Sequence, residues 1–236
     1  MDSNTTSRGL SPGWPLAFAL LVAAACASRA GRPASTIEPV VPTRIVPPDA
    51  NVIARVHADS LRHPYTDADV EFMTGMISHH SQAITMSRMA PTHGASAAVQ
   101  RLASRIINAQ TDEILTMQQW LADRRLPVPA AIPGPMRMTM DGMEHEMLMP
   151  GMLTPAQMQQ LDQARGAEFD RLFLTFMIQH HTGAIQMVRQ LFGSYGAGQD
   201  EVVFKFASDV NVDQTTEVAR MQQMLSSLSS TSTQRN

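Results

Sequence analysis

The block Phe72-Met73-Thr74-Gly75-Met76-Ile77-Ser78-His79-His80, with Ala83-Ile84 and Met86 behind it, returns 101 residues later as Phe173-Leu174-Thr175-Phe176-Met177-Ile178-Gln179-His180-His181, with Ala184-Ile185 and Met187. The same displacement relates Asp69 to Asp170 and Arg88 to Arg189. Downstream, Gln110-Thr111-Asp112-Glu113-Ile114 leading to Met117-Gln118-Gln119 pairs with Gln214-Thr215-Thr216-Glu217-Val218 leading to Met221-Gln222-Gln223, now 104 residues apart. The extra residues fall between the two matched blocks, where a turn absorbs them most easily. A supersecondary unit written twice must bury its apolar face against its own copy, so the repeat predicts two helix–turn–helix units packed together.

Periodicity supports helices throughout. Val99, Leu102, Ile106, Gln110, Glu113, Met117 and Trp120 step by three or four, as do Val203, Phe206, Val210, Gln214, Glu217, Met221 and Met224, so each series lies on one helix face. In the leading helix of each unit, Met73, Met76, His80 and Ala83, and Leu174, Met177, His181 and Ala184, share a face. His79 and His180 sit about 100° to the side, with Met86 and Met187. Thr154-Pro155 with Gln157 reads as a capping box with proline at the first helical position, and Thr66 with Asp69 as a weaker one. Pro91 to Gly94 and Gly193 to Gly198 supply turns, and Gly166 is placed to interrupt the third helix. No apolar–polar alternation is long enough to predict a strand. The fold class is therefore all-α, a four-helix bundle of ferritin-like connectivity: hairpin 66–123, a long Met-rich crossover 126–153, and hairpin 154–226, within a domain at 51–228.

The ends read differently. Pro15 to Ala25 is apolar, follows a polar stretch with Arg8 and ends in small residues, so 1–25 reads as a secretory signal. The only cysteine, Cys26, follows Ala23-Ala24-Ala25, which excludes an internal disulfide and resembles a lipoprotein box, with Cys26 as the lipidated residue. Residues 26–50 carry Pro33, Pro39, Pro42, Pro47 and Pro48 and read as an extended tether, and 229–236 as a frayed polar tail. The expectation is an exported protein of the periplasm or cell envelope that touches membrane only through a lipid anchor. A net charge of −3 gives no general attraction to phosphate and argues against nucleic acid as a partner.

Against 5% aromatic residues, 18 methionines and 8 histidines make thioether and imidazole the dominant side-chain chemistry. A thioether is a soft, neutral ligand that needs no deprotonation. With imidazole it favours Cu(I), whereas imidazole alone also accepts Zn, Ni or Cu(II). The candidate metal ligands on the repeats are Met76, His79, His80, Met86, Met177, His180, His181 and Met187. Asp69, Asp170, Glu113 and Glu217 are further candidates, either as ligands or as groups that orient a histidine through its other ring nitrogen. A second candidate site is the breaker-rich run Met136, Met138, Met140, Met143, His145, Met147, Met149 and Met152, which the packing of a core does not predict. The competing reading is structural: helical methionines pack cores, and buried histidines bond carboxylates without any metal. His57, His63 and His93 read as solvent-facing.

The stretch from Leu161 to Met187, with Ala164, Gly166, Phe169-Asp170, Phe173, Met177-Ile178, His180-His181, Gly183-Ala184-Ile185 and Met187, resembles the core of the bacterial domain-of-unknown-function family 305. The first repeat is a looser copy, and the resemblance covers roughly residues 65 to 226. It implies a ferritin-like bundle, export and, for some members, periplasmic copper binding with a role in copper tolerance. The positions that match are Met76, His79, His80, Met86, Met177, His180, His181 and Met187. Gln82 stands where the second copy has Gly183, and Met73 where it has Leu174, so the two halves are expected to differ in affinity. Together these readings predict an exported copper-binding protein, acting in buffering, tolerance or delivery to a partner. Two rivals stand beside it: a metal-free structural or partner-binding bundle, and a ferritin-like di-metal oxidase. The oxidase requires Glu-x-x-His pairs on its helices, and this sequence has none, so no enzyme activity is expected.

Overall fold

The computed structural model describes residues 47, 49–62, 65–140 and 143–233, with side chains except at 59–62, 136–140, 143–145 and 229–233. The signal, Cys26, almost all of the tether and His63 lie outside the described residues, as do the loop side chains from Met136 to His145.

A short helix α1 (Ala50–Arg62) precedes the first hairpin, α2 (Asp67–Met89) and α3 (Ala97–Asp123). A two-stranded hairpin follows, β1 (Met136–Met140) and β2 (Met143–Met147), then α4 (Pro155–Gln163) and the second hairpin, α5 (Gly166–Gly193) and α6 (Glu201–Thr233). The repeat thus delivers its two helical hairpins, and they pack through α2 against α5. Among the described residues no helix is long and apolar enough to cross a membrane.

Local chemistry sets the boundaries. Thr66 and Asp69 form a complete capping box, stronger than the sequence spacing implied: the Thr66 N–H donates to Asp69 Oδ2 at 2.7 Å and the Asp69 N–H to Thr66 Oγ1 at 3.3 Å. Ser96 caps α3, and its near-equivalent in the second unit, Asp200, accepts from the N–H groups of Val202 and Val203 at the start of α6. The interruption expected at Gly166 is a clean break. Ala164 and Arg165 are extended, Gly166 takes φ +58°, and its N–H donates to the His93 carbonyl at 2.8 Å. His93 is buried, not solvent-facing. Its Nε2 lies 3.0 Å from the Asp162 carbonyl, so it ties the first hairpin's turn to the end of α4.

Two expectations fail. The methionine run contains strands, paired Met136 with Met147, Met138 with His145 and Met140 with Met143. The signal is present in the sequence: Met-x-Met-x-Met alternates with period two, and Asp141-Gly142 is a strong hairpin-turn dipeptide. The polar tail does not begin at 229, because α6 continues to Thr233.

The core is divided. One apolar cluster gathers Met73, Met76, Ile114, Met117, Trp120, Met187, Val203, Phe206 and Val210; the other gathers Met86, Leu102, Ile106, Phe169, Phe173, Met177 and Met221. Met76 from early α2 joins Met187 from late α5, and Met86 joins Met177, so the two helices run antiparallel. Between the clusters, every helix of the bundle contributes polar residues: His79 and His80, Gln110 and Glu113, His180 and His181, Gln214 and Glu217.

Candidate metal centre

All four histidines of the central layer are fully buried. The rings of His79 and His180 meet at the α2–α5 contact with centroids 3.8 Å apart and planes tilted by 40°. His80 and His181 face outward to the partner helices. His80 Nε2 lies 2.8 Å from Glu113 Oε2, and His181 Nε2 lies 2.7 Å from Glu217 Oε2. The second contact is an aligned hydrogen bond, whereas Glu113 sits off the His80 N–H direction and leaves that nitrogen without a bonded partner. His79 and His180 thus meet each other across the α2–α5 contact, whereas His80 and His181 look toward carboxylates that remain about a quarter exposed.

Tautomers follow from the acceptors. His79 Nε2 lies 2.9 Å from the Pro150 carbonyl and His180 Nε2 lies 3.0 Å from the His79 carbonyl. A carbonyl can only accept, so both Nε2 atoms carry the proton and both Nδ1 atoms keep a lone pair. The Nδ1 atoms of His79, His80, His180 and His181 are all buried without a hydrogen-bond partner. Burial, reinforced by neighbouring His80, pushes His79 down to about 3, although its bond to Pro150 works the other way. Burial, then His79, His181 and His80, holds His180 well below the ordinary histidine range. The central pair is thus neutral and able to offer lone pairs at any physiological pH.

The crossover closes this layer on one side. Ser78 accepts from the Gly134 N–H at 3.0 Å, His79 donates to Pro150, and the Gln82 amide brackets Leu153, accepting from its N–H at 2.6 Å and donating to its carbonyl at 3.0 Å. Opposite Gln82 in the repeat, Gly183 receives the same segment by having no side chain: a Cβ there would stand 2.0 Å from the Pro150 oxygen and 2.5 Å from Gly151 Cα. The departure between the copies therefore seats the strap Met149–Leu153 across the α2–α5 seam.

Asp69 and Asp170 take no part in the histidine layer. Ten residues of helix, about 15 Å, separate each from its histidines. Asp170, in the second turn of α5, accepts from the Ser96 N–H at 3.1 Å; Asp69 accepts from the Gly198 N–H at 2.7 Å. Each thus holds the turn of the other hairpin. The four candidate methionines are buried, split between the two apolar clusters on either side of the layer. Gln110 and Gln214, which sequence reading places on the buried stripes without a role, complete the layer with unpaired amide atoms: Oε1 of Gln110 and both Oε1 and Nε2 of Gln214. Asp213 escapes sequence reading because its repeat counterpart is Ala109. Its carboxyl is raised by burial and by Glu113, Asp209 and Glu217, which marks a concentration of negative charge beside His80 and His181. Among the described residues, no three His, Cys, Asp or Glu side chains converge tightly enough to enclose a metal unaided. A metal held here needs thioether, amide or backbone donors, or a modest closing of the layer.

These features define a duplicated helical-hairpin bundle with a buried histidine layer. The DUF305 profile (Domain of unknown function) matches residues 69–225, and the chain belongs to that family. Among solved structures, a DUF305 protein from Streptomyces coelicolor is 29% identical with a TM-score of 0.58, covering 69% of this chain and 94% of its own. CopM in its Cu(II)-bound form is 27% identical with a TM-score of 0.51, covering 67% of this chain and 96% of its own; the Cu(I)-bound form gives 27% and 0.50. An uncharacterized protein, L153 of Acanthamoeba polyphaga mimivirus, is 40% identical over 58 residues, which span 25% of this chain and 38% of that protein.

Proposed function

We propose that this protein binds copper, preferentially Cu(I), in its histidine layer, and that it acts outside the cytoplasm as a buffer or carrier rather than as an enzyme. The observation that carries this reading is the set of four buried imidazoles whose Nδ1 atoms have no partner in the protein, two of them, on His79 and His180, with a free lone pair. A buried polar atom left unsatisfied costs about 1–3 kcal/mol, so this cluster forms an arrangement that a soft cation would relieve. Buried thioethers of Met76, Met86, Met177 and Met187 stand on both sides of the layer, and Glu113 and Glu217 offset the incoming charge. Support also comes from CopM, a similar bundle solved with Cu(II) and with Cu(I). Export rests on the N-terminal pattern, with Cys26 as the lipid anchor, and delivery on a partner that accepts the metal.

Anaerobic Cu(I) titration against a competing chelator tests the reading. Replacing His79, His80, His180 and His181 together by Ala should abolish the tight equivalents, and unchanged affinity would refute the site. At ligand a thousandfold above Kd, binding should stabilise the wild type by about 4 kcal/mol. The absence of a three-donor His/Asp/Glu cluster among the described residues favours one competing reading, a metal-free polar layer that fixes helix register. Protein that stays metal-free after purification from copper-supplemented cells would establish that alternative.

A further inference from the structure

A cavity of about 470 Å³ opens beside the strap, between early α2 and late α5. Three of its lining residues are methionines drawn from two separate parts of the sequence: Met147 and Met149 from the crossover and Met187 from the second repeat. Glu71 supplies a carboxylate, and Pro150 forms part of the wall. Met147 is half exposed at 52%, whereas Met149 and Met187 are each 7% exposed, so the thioethers run from solvent inward. The same Pro150 presents its carbonyl to His79 Nε2. A cavity with three methionines in its lining therefore shares Pro150 with His79 of the buried imidazole pair.

From this juxtaposition we infer that the cavity is a capture site for a soft monovalent cation, Cu(I) or Ag(I), and the port through which it reaches His79 and His180. This rests on the copper-binding reading of the histidine layer and adds the route to it. Thioethers are suited to capture because they bind soft cations without deprotonation and hold them weakly enough to pass them on to imidazole. The strap supplies the gate. It is held by polar contacts from His79 and Gln82 and by close backbone contact at Gly183, so lifting it exchanges one bond of His79 for access to the ring. No electron or proton leaves the protein in this transfer, since His79 keeps its Nε2 proton and binds through Nδ1.

Two measurements on the full chain test the port. In the first, protein carrying methionines labelled with ¹³C at the methyl group is titrated with Ag(I) and followed by NMR. The Met147, Met149 and Met187 signals should move together at the first additions, in the wild type and equally in H79A/H180A. The second measures anaerobic Cu(I) loading from a chelate in M147L/M149L, which leaves every proposed ligand of the histidine layer in place. Loading should slow by at least about tenfold, equivalent to 1.4 kcal/mol of lost capture free energy, while the final affinity at the layer stays unchanged. Equal loading rates, or Ag(I) shifts confined to other methionines, would overturn the port. A wild type that takes up no Cu(I), or an H79A/H180A variant that binds it as tightly as wild type, would instead overturn the histidine reading.

Discussion

Lowering the pH of the metal-free protein from 7.5 to 5 should destabilise it through its buried histidine pair. His79 is neutral in the folded state down to about pH 3, because burial and the neighbouring His80 oppose a second proton. In the unfolded chain it returns to 6.5. The unfolded state therefore binds more protons throughout this interval, and stability is full above pH 6.5 and falls as the pH drops toward 3. At pH 5 an unfolded histidine is protonated about thirtyfold over neutral, so His79 alone accounts for a loss of about 2 kcal/mol relative to pH 7.5. His180 is shifted in the same direction for the same reason and adds to it. Urea unfolding followed by circular dichroism, with chelator present, measures the effect. With a slope of about 2 kcal/mol per M, the midpoint should fall by at least about 1 M between pH 7.5 and 5. Coincident midpoints would show that water or rearrangement solvates the pair and that the layer is not dry. Saturating Cu(I) should raise the same profile without changing its slope, because ligation at Nδ1 of an already neutral ring moves no proton.

Gly183→Ala should cost about 1–3 kcal/mol or displace the strap, because its Cβ meets the Pro150 oxygen at 2.0 Å; thermal melting reports the first outcome and faster Cu(I) loading the second. Asp170→Ala and Asp69→Ala should each destabilise by about 1–3 kcal/mol through an orphaned turn N–H, measured by urea unfolding, with copper stoichiometry unchanged. Asp200→Ala removes the acceptor of the Trp120 indole, of two helix N–H groups and of Arg124. It leaves a buried guanidinium unpaired, so a loss of about 3–5 kcal/mol is expected in the same assay.

The helices are legible because three signals agree: a repeat that has to pack on itself, stripes at helical spacing, and caps at Thr66 and Thr154. The histidine pairs are legible as a unit, but their directions are not. One step along a helix separates His79 from His80, and which of them meets the partner helix depends on how α2 crosses α5, a tertiary property. Gln82 and Gly183 read as a mere divergence between copies until the strap between them is visible. His93 looks isolated because its acceptor, the Asp162 carbonyl, lies 69 residues away. The β-hairpin is written in the Met-x-Met alternation and in Asp141-Gly142, yet its signal is muted because methionine is not a characteristic strand residue.

The crossed contacts of Asp69 and Asp170 bear on where such a chain can be cut. Each hairpin lacks the group that fastens its own turn and carries the group that fastens its neighbour's. A single hairpin alone would have a loose turn and an exposed apolar face, yet two identical copies set antiparallel would supply each other's missing acceptor. The half-molecule thus has the complementarity of a protomer in a twofold dimer, and the present chain joins the two halves end to end. The join itself, the crossover, breaks the symmetry by lying across one side only.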